Sequence, residues 1–316
     1  MVAGGGHVQW RYASRGTLVI PEPLSPGDTI AVVAPSSPLS HDELWRGLAW
    51  LRARYGLRVR PSVFARDGYL AGADERRGAE LASAMLDEQV KAVLVARGGY
   101  GVMRILDELP WRAFAHRPKW IVGFSDATAL HATAWRLGIA SVHAPNATGL
   151  GRDPSVATRI AWLLSLERPT SMRAWRCLRV VRSGAASGPI VGGNLSLLHA
   201  MAAAGRLTMP RAAVLAIEDV GEPPYRIDRM LTSLILGGHL AEVSAVVFGG
   251  FARCPPAADG RSVDEVLDLC TRPLGIPVLC GAPFGHGEHN EAFVLGAGVR
   301  VHADEVIWSP VDEALV

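Results

Sequence analysis

Four short segments of the sequence hold the residue types that acyl transfer needs. Gly123-Phe124-Ser125-Asp126 stands where the apolar run 120–122 gives way to a helical pattern. A serine on a sharp strand-to-helix turn projects its Oγ beyond the sheet, at the positive end of the helix dipole. Ala127 stands where the full G-x-S-x-G elbow has its second glycine. The plainer alternative is a serine that only caps a helix. Arg97-Gly98-Gly99-Tyr100-Gly101 ends another apolar run. Backbone N–H groups of such a turn can stabilise an oxyanion. Its spacing does not fit a dinucleotide fingerprint, and a tight turn needing positive φ would also use these glycines. Glu218-Asp219-Val220-Gly221-Glu222 follows a third apolar run. Carboxylates there can orient a histidine or form a solvated acidic loop. Phe284-Gly285-His286-Gly287-Glu288-His289-Asn290 holds a glycine-flanked histidine that its neighbours can place. His286 and His289 are three apart, but the segment lacks helical periodicity and a third ligand, so no metal is expected. Together the order Ser…Glu…His gives a workable triad with glutamate as the orienting group.

Elements must hold these residues in place. Residues 28–34 are β-branched and apolar and stop at Pro35-Ser36-Ser37-Pro38, as a buried parallel strand would. Leu44, Leu48, Leu51 and Tyr55 recur at helical spacing, with His41 or Asp42 as cap and Gly56 as terminator. Strands are predicted at 57–60, 92–96 and 120–122. Asp74 can cap a helix that carries Leu81, Met85 and Leu86, and further helices are predicted through 103–106 and 130–137. This alternation is the pattern of an α/β, doubly wound parallel sheet. In such sheets sites form beyond the carboxyl ends of the strands, where Ser125 and the glycine turn fall.

The pattern weakens over 156–187, around a short helical stretch at 160–166, and this segment reads as a linker. Beyond it, strands at 189–191, 213–217, 245–248, 277–279, 291–295 and 299–302 and helices at 195–204 and 227–236 read as a mixed α+β or barrel-like unit. The expected domains are therefore 18–155 and 188–316, preceded by a Gly-rich extension over 1–17.

The chain has 316 residues, 49% apolar and 20% charged, with a net charge of +2. Such a composition suits an ordinary folded protein and excludes a disordered one. The balanced charge gives no footprint for nucleic acid. All basic residues except Lys91 and Lys119 are arginine, which reads mainly as codon bias. Cys177, Cys254, Cys270 and Cys280 form no CxxC pair and read as reduced thiols. No secretory leader and no run of membrane-spanning length is seen. A cytoplasmic protein with no membrane partner is the expectation.

The segments 23–38 (PLSPGDTIAVVAPSSP), 71–77 (AGADERR), 96–101 (ARGGYG), 123–128 (GFSDAT), 188–198 (GPIVGGNLSLL), 217–231 (IEDVGEPPYRIDRML) and 281–287 (GAPFGHG) resemble, in order, the LD-carboxypeptidases. These serine peptidases trim murein tetrapeptides, and the family includes the microcin C immunity hydrolases. The resemblance implies an N-terminal Rossmann-like domain of the class I glutamine amidotransferase-like kind and a C-terminal swivelling β-barrel-like domain. It also implies a homodimer that uses no cofactor or metal. It assigns Ser125 as nucleophile, Glu218 and His286 as its partners, and the backbone N–H groups of Asp126 and of Gly98 or Gly99 as oxyanion donors. The implied substrate is a small muropeptide. Arg97 and Arg226 are candidates for its terminal carboxylate, because a guanidinium binds carboxylates as a bidentate fork. An acyl-nucleotide substrate could instead stack on Trp175, and a non-catalytic binding protein on the same fold is a third reading.

Overall fold

The computed structural model describes residues 18–152, 154–256 and 259–308. The Gly-rich extension over 1–17 lies outside them. The protein is a two-domain mixed α/β fold built on parallel-strand sheets. The first half runs β1 (Thr29–Val33), α1 (His41–Arg52), β2 (Gly56–Val59), α2 (Asp74–Leu86), β3 (Val90–Val95), α3 (Val102–Ile105), α4 (Trp111–His116), β4 (Trp120–Gly123), α5 (Thr128–Arg136), β5 (Ser141–His143) and α6 (Ala147–Leu150). β2, β1, β3, β4 and β5 lie side by side and parallel. The inner strands β1, β3 and β4 are largely apolar on both faces because helices cover both, as in β3, where Val93, Leu94 and Val95 are all buried. The chain leaves neighbouring β1 and β3 in opposite directions across the sheet. Their carboxyl ends therefore flank a crevice.

The second half adds α7 (Val156–Glu167), β6 (Arg173–Trp175), β7 (Arg179–Arg182), β8 (Ala185–Asn194), α8 (Leu195–Ala203), β9 (Ala213–Val220), α9 (Pro224–Leu236), β10 (Val243–Ala252), α10 (Val263–Thr271), β11 (Val278–Gly285), β12 (Phe293–Leu295), β13 (Gly298–His302) and β14 (Glu305–Trp308). An eight-stranded sheet runs in the order β6-β14-β13-β8-β9-β10-β11-β7. Its central strands β8, β9, β10 and β11 are parallel, each joined to the next through a helix. Again, the carboxyl ends of successive strands gather on one edge.

Several expectations change. Residues 156–187 are not a bare linker: they hold α7 and two strands of the second sheet. β12 crosses back to pair antiparallel with β5, Phe293 opposite His143, so it closes the edge of the first sheet. Ser40, not His41 or Asp42, caps α1 by accepting from Glu43 N–H. Gly56 begins β2, and Ala73, not Asp74, is the cap residue of α2. Among the described residues no helix is long and apolar enough to cross a membrane.

α5 joins the two halves. Every residue from 128 to 135 is buried, although the helix is only nine residues long. A helix buried all round has no solvent face to keep polar, and its small residues Ala129, Ala132 and Ala134 let both halves approach. One core runs from α5 into Val191, Leu195 and Leu198 of the second half. Trp135 Nε1 donates to Thr208 C=O at 2.8 Å, a further tie between the halves.

His131 is the buried titratable side chain of this helix, and both its nitrogens are used. Nε2 lies 2.9 Å from Gly123 C=O, which can only accept, so Nε2 carries the proton. Nδ1 accepts from the Ser141 hydroxyl at 2.9 Å. Burial holds the imidazole down at about 4. An unfolded chain would bind a proton there near 6.5. Between these values the unfolded state carries the extra proton, so this group makes stability fall as pH falls. Urea unfolding at several pH values should show His131→Gln losing less stability than the parent chain from pH 7 to 4.5, by about 2 kcal/mol. Parallel pH curves for the two proteins would contradict this.

Candidate active site

β4 ends at Gly123, Phe124 is extended (φ −151°), and Ser125 turns into the left-handed region at φ +64° before the chain enters α5. That conformation costs a non-glycine residue about 1–2 kcal/mol. Ser125 therefore does not serve as the cap of α5. The strained turn is pinned on both sides. Gly123 C=O accepts from His131 Nε2 and from Ala144 N–H at 3.0 Å. Phe124 N–H donates to Asn146 Oδ1 at 3.1 Å.

The glycine turn after β3 presses directly on the serine. A Cβ at Gly98 would lie 2.7 Å from Ser125 Cβ and 2.9 Å from its Oγ, so only glycine fits. Ser37 N–H donates to Gly98 C=O at 3.4 Å, and Tyr100 N–H donates to Ser37 Oγ at 3.2 Å. Arg77, fully buried, donates to the carbonyls of Gly101 (3.0 Å), Gly72 (3.1 Å) and Pro35 and pairs with Asp74. One guanidinium thus ties the loops after β1 and β3 together, using the planar fork that lysine lacks. Asp126 is buried, and its Oδ2 accepts from Val102 N–H at 2.9 Å. Burial pushes its pKa up to about 6, against the neighbouring Ser36 hydroxyl and Val102 N–H.

The second sheet brings the carboxylate and the histidine. Glu218, near the carboxyl end of β9, has no solvent exposure. Its Oε1 accepts from Asn194 Nδ2 at 3.3 Å, and its Oε2 accepts from His286 N–H at 3.1 Å and lies 2.7 Å from His286 Nδ1. A carboxylate at Nδ1 fixes the proton there and leaves Nε2 as the bare nitrogen. Gly285 makes this approach possible. Its φ is +105°, and a Cβ on it would lie 2.7 Å from Glu218 Oε2. The His286 ring stands 4.7 Å from the ring of Phe124, the residue before Ser125. Glu218 and His286 are thus in contact on the second sheet, and Phe124 brings the strand end that carries Ser125 up to the His286 ring.

Asp219 is also buried and shares the Asn194 amide with Glu218. It accepts from Asn194 Nδ2, Ser196 N–H, Ser196 Oγ and Val220 N–H, all within 3.0 Å. Burial raises its pKa even so. Asn194 also donates its own N–H to Thr128 Oγ1 at 3.0 Å, bonding the end of β8 to the start of α5. Asn146, Asn194 and Thr128 were not singled out in the sequence. For Asn194, a polar side chain that ends the apolar run of β8 was the available signal.

The other candidates fall differently. Arg97 is exposed beside the glycine turn and bonds Pro38 C=O. Arg226, in the first turn of α9, is paired at 2.9 Å with Glu222 in the segment before it. Trp175 is 5% exposed and is enclosed by Phe284 (5.3 Å), Phe293 (5.0 Å) and Trp308 (4.7 Å), so it offers no face for a nucleobase. His289 is exposed, away from the Glu218 contact. Among the described residues no group of three His, Cys, Asp or Glu is placed to hold a metal ion.

Residues 30–144 match the model of the LD-carboxypeptidase N-terminal domain, and residues 187–301 match that of its C-terminal domain. The chain is 32% identical over 296 residues to the murein tetrapeptide carboxypeptidase of Pseudomonas aeruginosa, across 88% of this chain and 94% of that protein. The crystal structure of muramoyltetrapeptide carboxypeptidase from Oxalobacter formigenes is similar at a TM-score of 0.81 and 27% identity, covering 89% of this chain and 98% of that one. The structure of MccF in complex with glutamyl sulfamoyl guanosine shares the fold at a TM-score of 0.85 and 22% identity, covering 92% and 98%.

The contact between the glycine turn and the serine has a direct test in stability. Gly98→Ala should cost about 1–3 kcal/mol by overpacking. Gly287→Ala should cost little, since the nearest atom to a Cβ there is Gly250 Cα at 3.8 Å. Equal thermal shifts for the two variants would contradict the close approach.

Proposed function

The chain belongs to the LD-carboxypeptidase family and is a serine-type carboxypeptidase, and we propose that it removes the terminal D-alanine from cytosolic murein tetrapeptide with a Ser125–His286–Glu218 triad. The observation that carries this reading is the Glu218–His286 contact beside a serine held in the left-handed region. In this reading His286 Nε2 takes the Ser125 proton as Oγ attacks the carbonyl of the last amide bond. Glu218 holds the imidazole in the Nδ1–H tautomer and stabilises the imidazolium that forms. The backbone N–H groups of Asp126 and of Gly98 or Gly99 receive the negative charge of the tetrahedral oxygen. His286 then gives its proton to the nitrogen of the leaving D-alanine. Water, deprotonated by the same imidazole, attacks the acyl-serine ester. Ser125 recovers its proton, and tripeptide leaves.

The domain roles follow from this assignment. A Rossmann-like unit over 18–155 supplies the nucleophile and the glycine turn. A barrel-like unit over 188–316 supplies Glu218 and His286, and 156–187, which joins the two, adds β6 and β7 to the second sheet. Arg97 is the better placed arginine for the terminal carboxylate, because Arg226 is already paired with Glu222. We take the protein to be a cytoplasmic homodimer, in keeping with the resemblance. The acyl-nucleotide alternative loses its stacking residue, since Trp175 is enclosed.

Incubation with murein tetrapeptide, followed by mass spectrometry, should show tripeptide and free D-alanine. Ser125→Ala should lower turnover at least about 10³-fold, and Glu218→Gln about 10²–10⁴-fold. A Ser125→Ala variant with full activity would remove the serine mechanism.

A further inference from the structure

Asn146 stands at the N-cap of α6, yet its side chain makes no capping bond to that helix. Asparagine at such a position ordinarily accepts from the helix's own first turn. Here the side chain is 3% exposed and reaches sideways, where Oδ1 accepts from Phe124 N–H at 3.1 Å. The amide lies between the two glycines that flank the serine. A Cβ at Gly123 would lie 2.9 Å from its Oδ1, and a Cβ at Gly98 would lie 3.4 Å from its Nδ2. The segment that carries it is itself bonded to both neighbouring strand ends. Ala144 N–H donates to Gly123 C=O, and Thr148 N–H donates to Ala96 C=O, each at 3.0 Å.

We propose that Asn146 is a positioning residue for the nucleophile: by holding Phe124 N–H it keeps Ser125 in its left-handed turn against Gly98. The inference rests on Ser125 being the nucleophile. Phe124 is the last extended residue before the turn. Once its N–H is fixed, the direction in which Ser125 leaves the strand is fixed too. Without that acceptor, the half-buried amide loses this partner, and the serine can relax towards negative φ. Its Oγ then moves away from the bare nitrogen of His286. A misplacement of about 1 Å at a reacting atom is enough to cost about 10²-fold in rate.

The test uses the full chain and two readouts: tetrapeptide kinetics, and the rate at which diisopropyl fluorophosphate adds to Ser125, followed by intact mass. Asn146→Leu keeps the volume and loses the acceptor, whereas Asn146→Asp keeps an oxygen at the same place. Asn146→Leu should lower kcat and the labelling rate together by about 10–100-fold, with KM within about 3-fold. Asn146→Asp should bring both rates back to within about 5-fold of the parent. Asn146→Ala, which leaves space rather than filling it, takes the place of Asn146→Leu if that variant does not fold. Parent-like labelling in the Leu or Ala variant, or equal losses in the Leu and Asp variants, would overturn the proposal. Labelling of the parent without tetrapeptide cleavage would remove the substrate assignment and leave this inference standing. A parent chain that is neither labelled nor active would remove both.

Discussion

The Glu218 carboxylate is closed off from water, and the arrangement of the second domain around the site answers to that fact. A buried charge without partners is costly enough that the group would sooner neutralise. Three donors meet it: the Asn194 amide, the backbone N–H of His286 and the His286 imidazole. Two of the three come from one residue, so the carboxylate fixes both the main chain and the ring of His286. That requirement explains why a glycine precedes the histidine, because any side chain at Gly285 would strike Glu218. It also leaves Nε2 as the imidazole nitrogen that the carboxylate does not hold. A single buried group thereby sets a position, a ring orientation and a tautomer.

The first domain meets this with an equally constrained partner. Ser125 begins the run into α5, and α5 is buried on all sides between the two halves. The turn before it is bonded through Gly123 C=O and Phe124 N–H, and Gly98 presses on the serine from the next strand end. Asn194 then closes the circuit. Its side chain bonds Glu218 and Asp219, while its backbone N–H bonds Thr128 at the start of α5. The residues that hold the carboxylate and those that hold the serine are therefore one hydrogen-bonded network across the interface of the halves. Sites assembled this way owe their accuracy to packed elements rather than to loop order.

Much of this was legible in the sequence, and the exceptions have physical causes. Apolar runs and helical periods located β1 through β4 and the helices α1, α2, α3 and α5 to within a few residues, while the three-residue β5 and the short helices α4 and α6 carried too little pattern to be read. Ser125, Glu218 and His286 stood out because each lies at or near the end of an apolar run, in a short segment that also holds glycine. Asn146 and Thr128 did not, since their partners are distant in sequence and only the fold brings them near. β12 was read as part of the second domain for the same reason: a three-residue strand carries no mark of the sheet it will join. α10 was legible yet unread, as Ser262 and Glu265 form a capping box at its start. The arginine excess, taken as codon bias, includes at least one position with a specific task. Arg77 spends its fork on three buried carbonyls and a carboxylate, and a lysine could not reach them all.

The most direct test of the central claim, that Glu218 sets the state of His286 for the serine, is ¹⁵N NMR of the imidazole nitrogens in the resting protein near neutral pH. The expected spectrum shows His286 with its proton on Nδ1, hydrogen-bonded and shifted downfield, and a bare Nε2, and the bonded Nδ1 signal disappears in Glu218→Gln. A proton on Nε2, or an unchanged Nδ1 signal in Glu218→Gln, would contradict it.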